Sequence, residues 1–217
     1  MSLNGFLDHL LKSAAPTTLS GSDGHGGLGG MLGSDFGKGT LAGGALGLLL
    51  GRNKATRKLA TYGGLAALGM MAYRAYGDYR AQQGATVQPQ TVDRLPPPQA
   101  GLHGEAILRA LVAAAKADGH LDARERGVIE GEFARIAPER EVQQWLKAEL
   151  DKPLDPAEVA RNASTPEIAS EMYLASLVAA DEQNYMERAY LDELARQLGI
   201  DDALKQRLEQ EFRDTAR

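Results

Sequence analysis

From His103 to the C-terminus one pattern occurs twice, in Ala113–Arg126 (AAAKADGHLDARER) and in Ala179–Arg188 (AADEQNYMER). In each copy an alanine-rich stretch runs into an Asp, a few polar residues follow, and a Glu-Arg pair opens the next segment. Apolar residues recur at helical spacing on both sides of each acidic corner, and no alternating strand pattern competes. A chain built this way is restricted to an all-α bundle, here of about seven helices in roughly 115 residues, with two pseudo-repeated helix pairs.

The helix boundaries are legible from their punctuation. Ile107, Ala110, Leu111, Ala114 and Ala115 form an apolar face that ends at Asp118-Gly119. The helix from Asp122 buries Val128, Ile129, Phe133 and Ile136, and Pro138 opens a third that carries Trp145 and Leu146. Asp155-Pro156-Ala157-Glu158 combines an N-cap, a first-turn proline and a capping-box acid, so a short helix follows. Thr165-Pro166 repeats that start for a helix bearing Ile168, Met172, Ala175 and Ala179. Asn184 begins the next, Gly199 stops it as a C′ residue, and the last helix runs from Asp202 with Leu204, Leu208 and Phe212 facing inward.

The residues ahead of this bundle have a different composition. Residues 1–83 hold eight Lys/Arg against four Asp/Glu and 18 of the 25 glycines, whereas residues 101–217 hold fifteen against twenty-four. The acidic bundle would repel phosphates, so nucleic acid is not an expected partner. The chain has no cysteine, which excludes disulfides and thiolate metal sites. Leu3, Phe6, Leu7, Leu10 and Leu11 share one helical face, giving a short amphipathic helix over residues 2–12. It would lie on a membrane, pack on a partner, or cap the protein's own bundle. A Gly/Ser-rich loop follows, and residues 1–36 form the first unit.

Gly39, Gly43, Gly47 and Gly51 then recur every four residues, a flat stripe against which another backbone can pack closely. The basic stretch Arg52–Lys58 separates it from a second apolar run, Leu59–Tyr73. That run is about 22 Å long as a helix. The hydrocarbon core of a bilayer is roughly 30 Å, so neither run is a span by itself. The expectation for residues 37–83 is a glycine-zipper helical hairpin entering a membrane through residues 39–79. Tyr62, Tyr73, Tyr76 and Tyr79 would sit at the interface. The same stripe would serve homo-oligomerisation. Residues 84–101, with Pro96-Pro97-Pro98, read as an extended linker to a bundle at 102–217.

Asp122-x-x-Glu125 and Asn184-x-x-Glu187 both match the capping box. Asp118 and Asp181 are not explained that way, because each stands at a helix C-terminus, where the macrodipole disfavours an anion. A compensating cation is expected, either a side chain (Lys116, Arg126, Arg188) or a metal. Carboxylates without thiols favour Ca²⁺ or Mg²⁺. An EF-hand does not fit, since counting from Asp118 its Gly and bidentate Glu positions hold Ala123 and Ile129. His120 is a candidate additional ligand or a solvated corner residue.

At these residues the chain resembles the tellurite-resistance TerB-like helical domain. ADGHLDARER and AADEQNYMERAYLDELARQLGI carry the likeness. The glycine stripe and TYGGLAALGMMAYRAY ahead of it are similar to the uncharacterised YebE-type branch, which is associated with the bacterial inner membrane. The resemblance implies acidic corners that converge into a metal site, with Asp118, Asp122, Glu125, Asp181 and Glu187 at motif positions. Gln183 departs from that pattern. It also implies an envelope or stress-response setting, while the basic stretch Arg52–Lys58 would by the positive-inside rule favour the cytoplasmic side, or would be a solvated turn touching lipid headgroups.

Two functions follow as expectations. One is a membrane-tethered module that binds or senses a divalent cation. The other is an adaptor that recruits a protein partner, its corners merely capping helices. No activated nucleophile or phosphate-binding loop is present to suggest an enzyme.

Overall fold

Thr165 and Pro166 start the helix around which the molecule is built. The Thr165 hydroxyl accepts from the Ile168 amide, and Pro166 occupies the first turn, where its missing N–H costs nothing. Every residue from Ile168 to Val178 is then buried. A helix apolar on all sides belongs in the middle of a bundle. Its buried hydroxyls are satisfied internally, Ser170 by the Pro166 carbonyl and Ser176 by that of Met172.

The computed structural model describes residues 5–7, 65–85, 88–117, 123–180 and 184–216. Its helices are α1 (Leu65–Gln82), α2 (Pro97–Ala114), α3 (Ala123–Ile136), α4 (Arg140–Asp151), α5 (Pro156–Ala160), α6 (Pro166–Ala179), α7 (Tyr185–Gln197) and α8 (Asp202–Ala216), with a helical turn at 5–7. The all-α bundle expected from the sequence is what the described residues form. The central helix is α6, in contact with α1, α2, α7 and α8.

The caps expected at Asp155, Asn184 and Gly199 are in place. Asp155 accepts from the Ala157 amide and Asn184 from the Met186 amide. Gly199 adopts φ +69° beyond α7; its N–H donates to the Arg196 carbonyl and that of Ile200 to the Ala195 carbonyl. This double bond closes the helix end, and a residue with a Cβ would be strained at that φ.

Two contacts fix the direction of the central pair. His103 of α2 meets Glu171 of α6, and further along both helices Ala110 meets Ser176. The order is the same on each, so α2 and α6 run in parallel. At that register their last residues, Ala114 and Ala179, come level at one end of the bundle.

Two sequence expectations change here, and the N-terminal turn takes one of the three readings open to it. The second arm of the membrane hairpin is described from Leu65 on, and its apolar face is inside the protein: Leu65, Leu68, Met71, Ala72, Ala75 and Tyr76 are all core residues. The tyrosines read as an interfacial belt have internal partners. Arg94 covers the Tyr73 ring at 3.7 Å, Tyr76 stacks on Tyr79, and the Tyr79 hydroxyl donates to Asp201 at 2.6 Å. Hydrophobic length alone does not separate a short membrane helix from one buried between α6 and α8. Among the described residues no helix is long and apolar enough to cross a membrane. Tyr62 and the stripe Gly39–Gly51 lie outside the described residues.

The expected linker is also packed. Thr91 is wholly buried and Val92 nearly so, and α2 begins at Pro97, inside the stretch read as spacer. Residues 88–96 are a strap laid across α1 and α6. Gly69 of α1 is what lets it lie close, because a Cβ there would stand 2.6 Å from Asp93 Oδ1. The N-terminal turn, finally, packs on the protein itself. Leu7 is fully buried over Gly104 of α2, and the Phe6 ring lies 5.5 Å from that of Phe133 in α3.

Candidate functional site

The parallel run of α2 and α6 brings two described residues, Ala117 and Ala180, to the same end of the bundle, both buried. These are the residues from which the chain enters its two acidic corners. Asp118, Asp122, His120 and Asp181 themselves lie outside the described residues. Glu125 stands in the first turn of α3 and Glu187 in the first turn of α7. Glu187 is only 6% exposed, unusual for a carboxylate, and its place at a helix N-terminus favours the negative charge. Among the described residues alone, no group of three or more His, Asp or Glu is close enough to hold a metal ion. The five expected ligands are therefore not assembled within the described part, and the aligned helix ends are what it contributes to a site.

Two of the three side chains considered as counter-ions for Asp118 and Asp181 are engaged by α4. The Arg126 guanidinium bonds Glu130 at 2.8 Å and Asp151 at 2.6 Å, which holds the Asp151 carboxyl below its usual range. Lys116 Nζ donates to the carbonyls of Glu149 and Lys152 at 2.9 and 2.8 Å. It thereby closes the C-terminal end of α4, where the helix dipole favours a cation. Burial pushes the Lys116 ammonium down from its ordinary value. Beside it Arg109 bonds Asn162 at 3.0 Å and Glu105 at 2.5 Å. The crevice these residues line has a volume of about 20 Å³, room for one water and no larger ligand.

A second polar cluster was not visible from the helical pattern. Glu171 on α6 is completely buried; its Oε1 accepts from the Val92 amide at 2.5 Å and its Oε2 meets His103 Nδ1 at 2.5 Å. Burial raises the Glu171 carboxyl above its ordinary range, opposed by the His103 bond and the Val92 amide. The available signal was one carboxylate within an otherwise apolar run, IASEMYLASLV.

A family profile described as "Protein of unknown function (DUF533)" matches residues 35–212, most of the chain. That family is TerB-like, in keeping with the resemblance at the acidic motifs. The chain is also similar to the "Uncharacterized protein in ampR 5'region" of Yersinia enterocolitica. The two are 33% identical over 110 residues, which cover 51% of this chain and 79% of that protein. No solved structure matches.

Proposed function

The chain belongs to the DUF533 family of proteins of unknown function, and from that premise we propose that it is a helical binding module whose two acidic corners together take a divalent cation. The observation that carries this reading is the parallel packing of α2 and α6 with level C-terminal ends. Two helix dipoles and two Asp-bearing corners leave from one end of the bundle, an arrangement a cation would stabilise. The engagement of Arg126 and Lys116 by α4 supports it further, since these cations already serve other partners. Oxygen-only ligands favour Ca²⁺ or Mg²⁺. The adaptor reading needs the side chains to neutralise the corners themselves.

Asp118→Asn combined with Asp181→Asn separates the two. In EDTA the double variant should match or slightly exceed the wild type in unfolding free energy, because like charges are removed. In Ca²⁺ or Mg²⁺ at a hundred times the dissociation constant, the wild type should gain about 2.7 kcal/mol that the variant lacks. Equal destabilisation with and without metal would overturn the cation site and leave the adaptor.

An inner-membrane setting, with the bundle on the cytoplasmic side, and membership of the YebE-type branch belong to the same proposal. With α1 inside the bundle, the membrane attachment is proposed for residues 39–64 alone. Recovery of the full chain in a detergent-free high-speed supernatant would remove that part.

A further inference from the structure

Glu171 is the only carboxylate between Ile168 and Val178, and it ties three parts of the molecule together. His103 holds it to α2, and the Val92 amide holds the strap at 88–96 to it. One hydrogen bond spans the 2.5 Å between Nδ1 and Oε2, donated by the carboxyl when Glu171 is protonated and by the ring nitrogen when it is ionised. Ionising Glu171 keeps that bond but puts a negative charge on a side chain with no exposed surface.

We propose that the His103–Glu171 pair is a one-proton lock on the strap, and that loss of the proton lifts residues 88–96 and loosens α1. Burial disfavours the carboxylate by more than its bonds to His103 and the Val92 amide favour it, and the strap is the element whose displacement lets water reach it. The helices α2 and α6 share a continuous apolar contact, whereas the strap is an irregular segment joined to Glu171 by one amide. The strap also carries Asp93, whose charge opposes that of Glu171 and whose carboxylate accepts from the Thr91 hydroxyl. On neighbouring turns of α6, the charge of Glu167 adds to burial in raising the Tyr76 hydroxyl of α1, and Glu209 of α8 accepts from Tyr173. The strap in turn seats α1: Val92 and Asp93 lie over Gly69, Pro89 over Gly77, and Arg94 over Tyr73.

A carboxyl whose folded pKa is raised lends stability that is complete below its unfolded pKa and is lost as pH rises through the folded one. The strap should accordingly be closed on the acid side and opened by alkali. The test is hydrogen exchange of the full chain, corrected for intrinsic rates, across roughly pH 5 to 9. Protection of residues 88–96 and of α1 should fall by up to about tenfold per pH unit from the acid end and level off once Glu171 is ionised in the folded protein, the signature of one proton. Glu171→Gln keeps both bonds, its oxygen accepting from Val92 and its amide donating to His103, and has no proton to lose; its protection should stay level. Asp93→Asn should move the end of the fall to lower pH, because the Asp93 charge helps to hold the Glu171 carboxyl up. Protection independent of pH in the wild type would overturn the lock, and that profile decides even if the Gln variant fails to fold. A Gln variant that falls with the wild type, or an Asn variant unshifted from it, would place the titrating group elsewhere and overturn it as well.

Discussion

In the first helix pair, α2 and α3, the corner is flanked by cations that α4 has taken up. Lys116 closes the end of α4, Arg126 reaches Asp151, and much of α3 is exposed. In the second pair, α6 and α7, the leading helix is buried on every side and the acid opening α7 is buried too. One sequence pattern thus serves two environments. The second copy is the core of the bundle, and the first lies against it with an outer face that trades ion pairs with α4. A repeat in sequence specifies the local turn of the chain; how deeply each copy is buried depends on what else packs against it.

The comparison can be broken most sharply at Met172, which is fully buried on α6. Met172→Ala should cost about 2–5 kcal/mol of unfolding free energy, measured by denaturant titration, because no rearrangement fills a hole in the centre of the bundle. A loss under about 1 kcal/mol would mean that α6 is not the tightly packed element described.

Lys116→Met tests the first pair. The methionine preserves the buried stem and deletes both bonds to the α4 carbonyls, so about 1–2 kcal/mol should be lost. Hydrogen exchange should accelerate at the C-terminal turn of α4 and leave α6 unchanged. Acceleration spread evenly through the bundle would show that the Lys116 cap is not local to α4.

The smallest expected effect has the opposite sign. Gly127 in α3 is exposed, and a Cβ there meets nothing within 4 Å. Gly127→Ala should raise stability by about 0.5–1 kcal/mol, since alanine restricts the unfolded chain and fits the helix. A thermal melt that shows destabilisation would mean that the exposed face of α3 is covered by something in solution.

Much of the bundle is legible in the sequence alone because helix ends are local devices. Asp155-Pro156, Thr165-Pro166, Asn184 and Gly199 mark their boundaries through bonds to amides and carbonyls a few residues away. The apolar spacing of the last helices is equally local. Within the candidate site, the sequence marks which carboxylates stand at the corners, because capping boxes and helix-end acids are readable in order along the chain. It does not say that Ala117 and Ala180, from which the chain enters the two corners, share one end of the bundle. That follows from the parallel packing of α2 on α6, a contact between residues more than sixty positions apart.

Burial was decided only in three dimensions. Residues 65–79 carry an apolar face that a membrane would accept, and α6 and α8 offer that same face a protein interior, which satisfies it equally well. The prolines at 96–98 suggest a spacer, yet Val92 has an apolar site over Gly69 and a buried carboxylate to meet its amide. Glu171 is the plainest case. By its residue type it belongs at the surface. Only the arrival of His103 from α2 and of the Val92 amide from the strap makes its place in the core tenable, because a buried charge or polar group must find its partners inside.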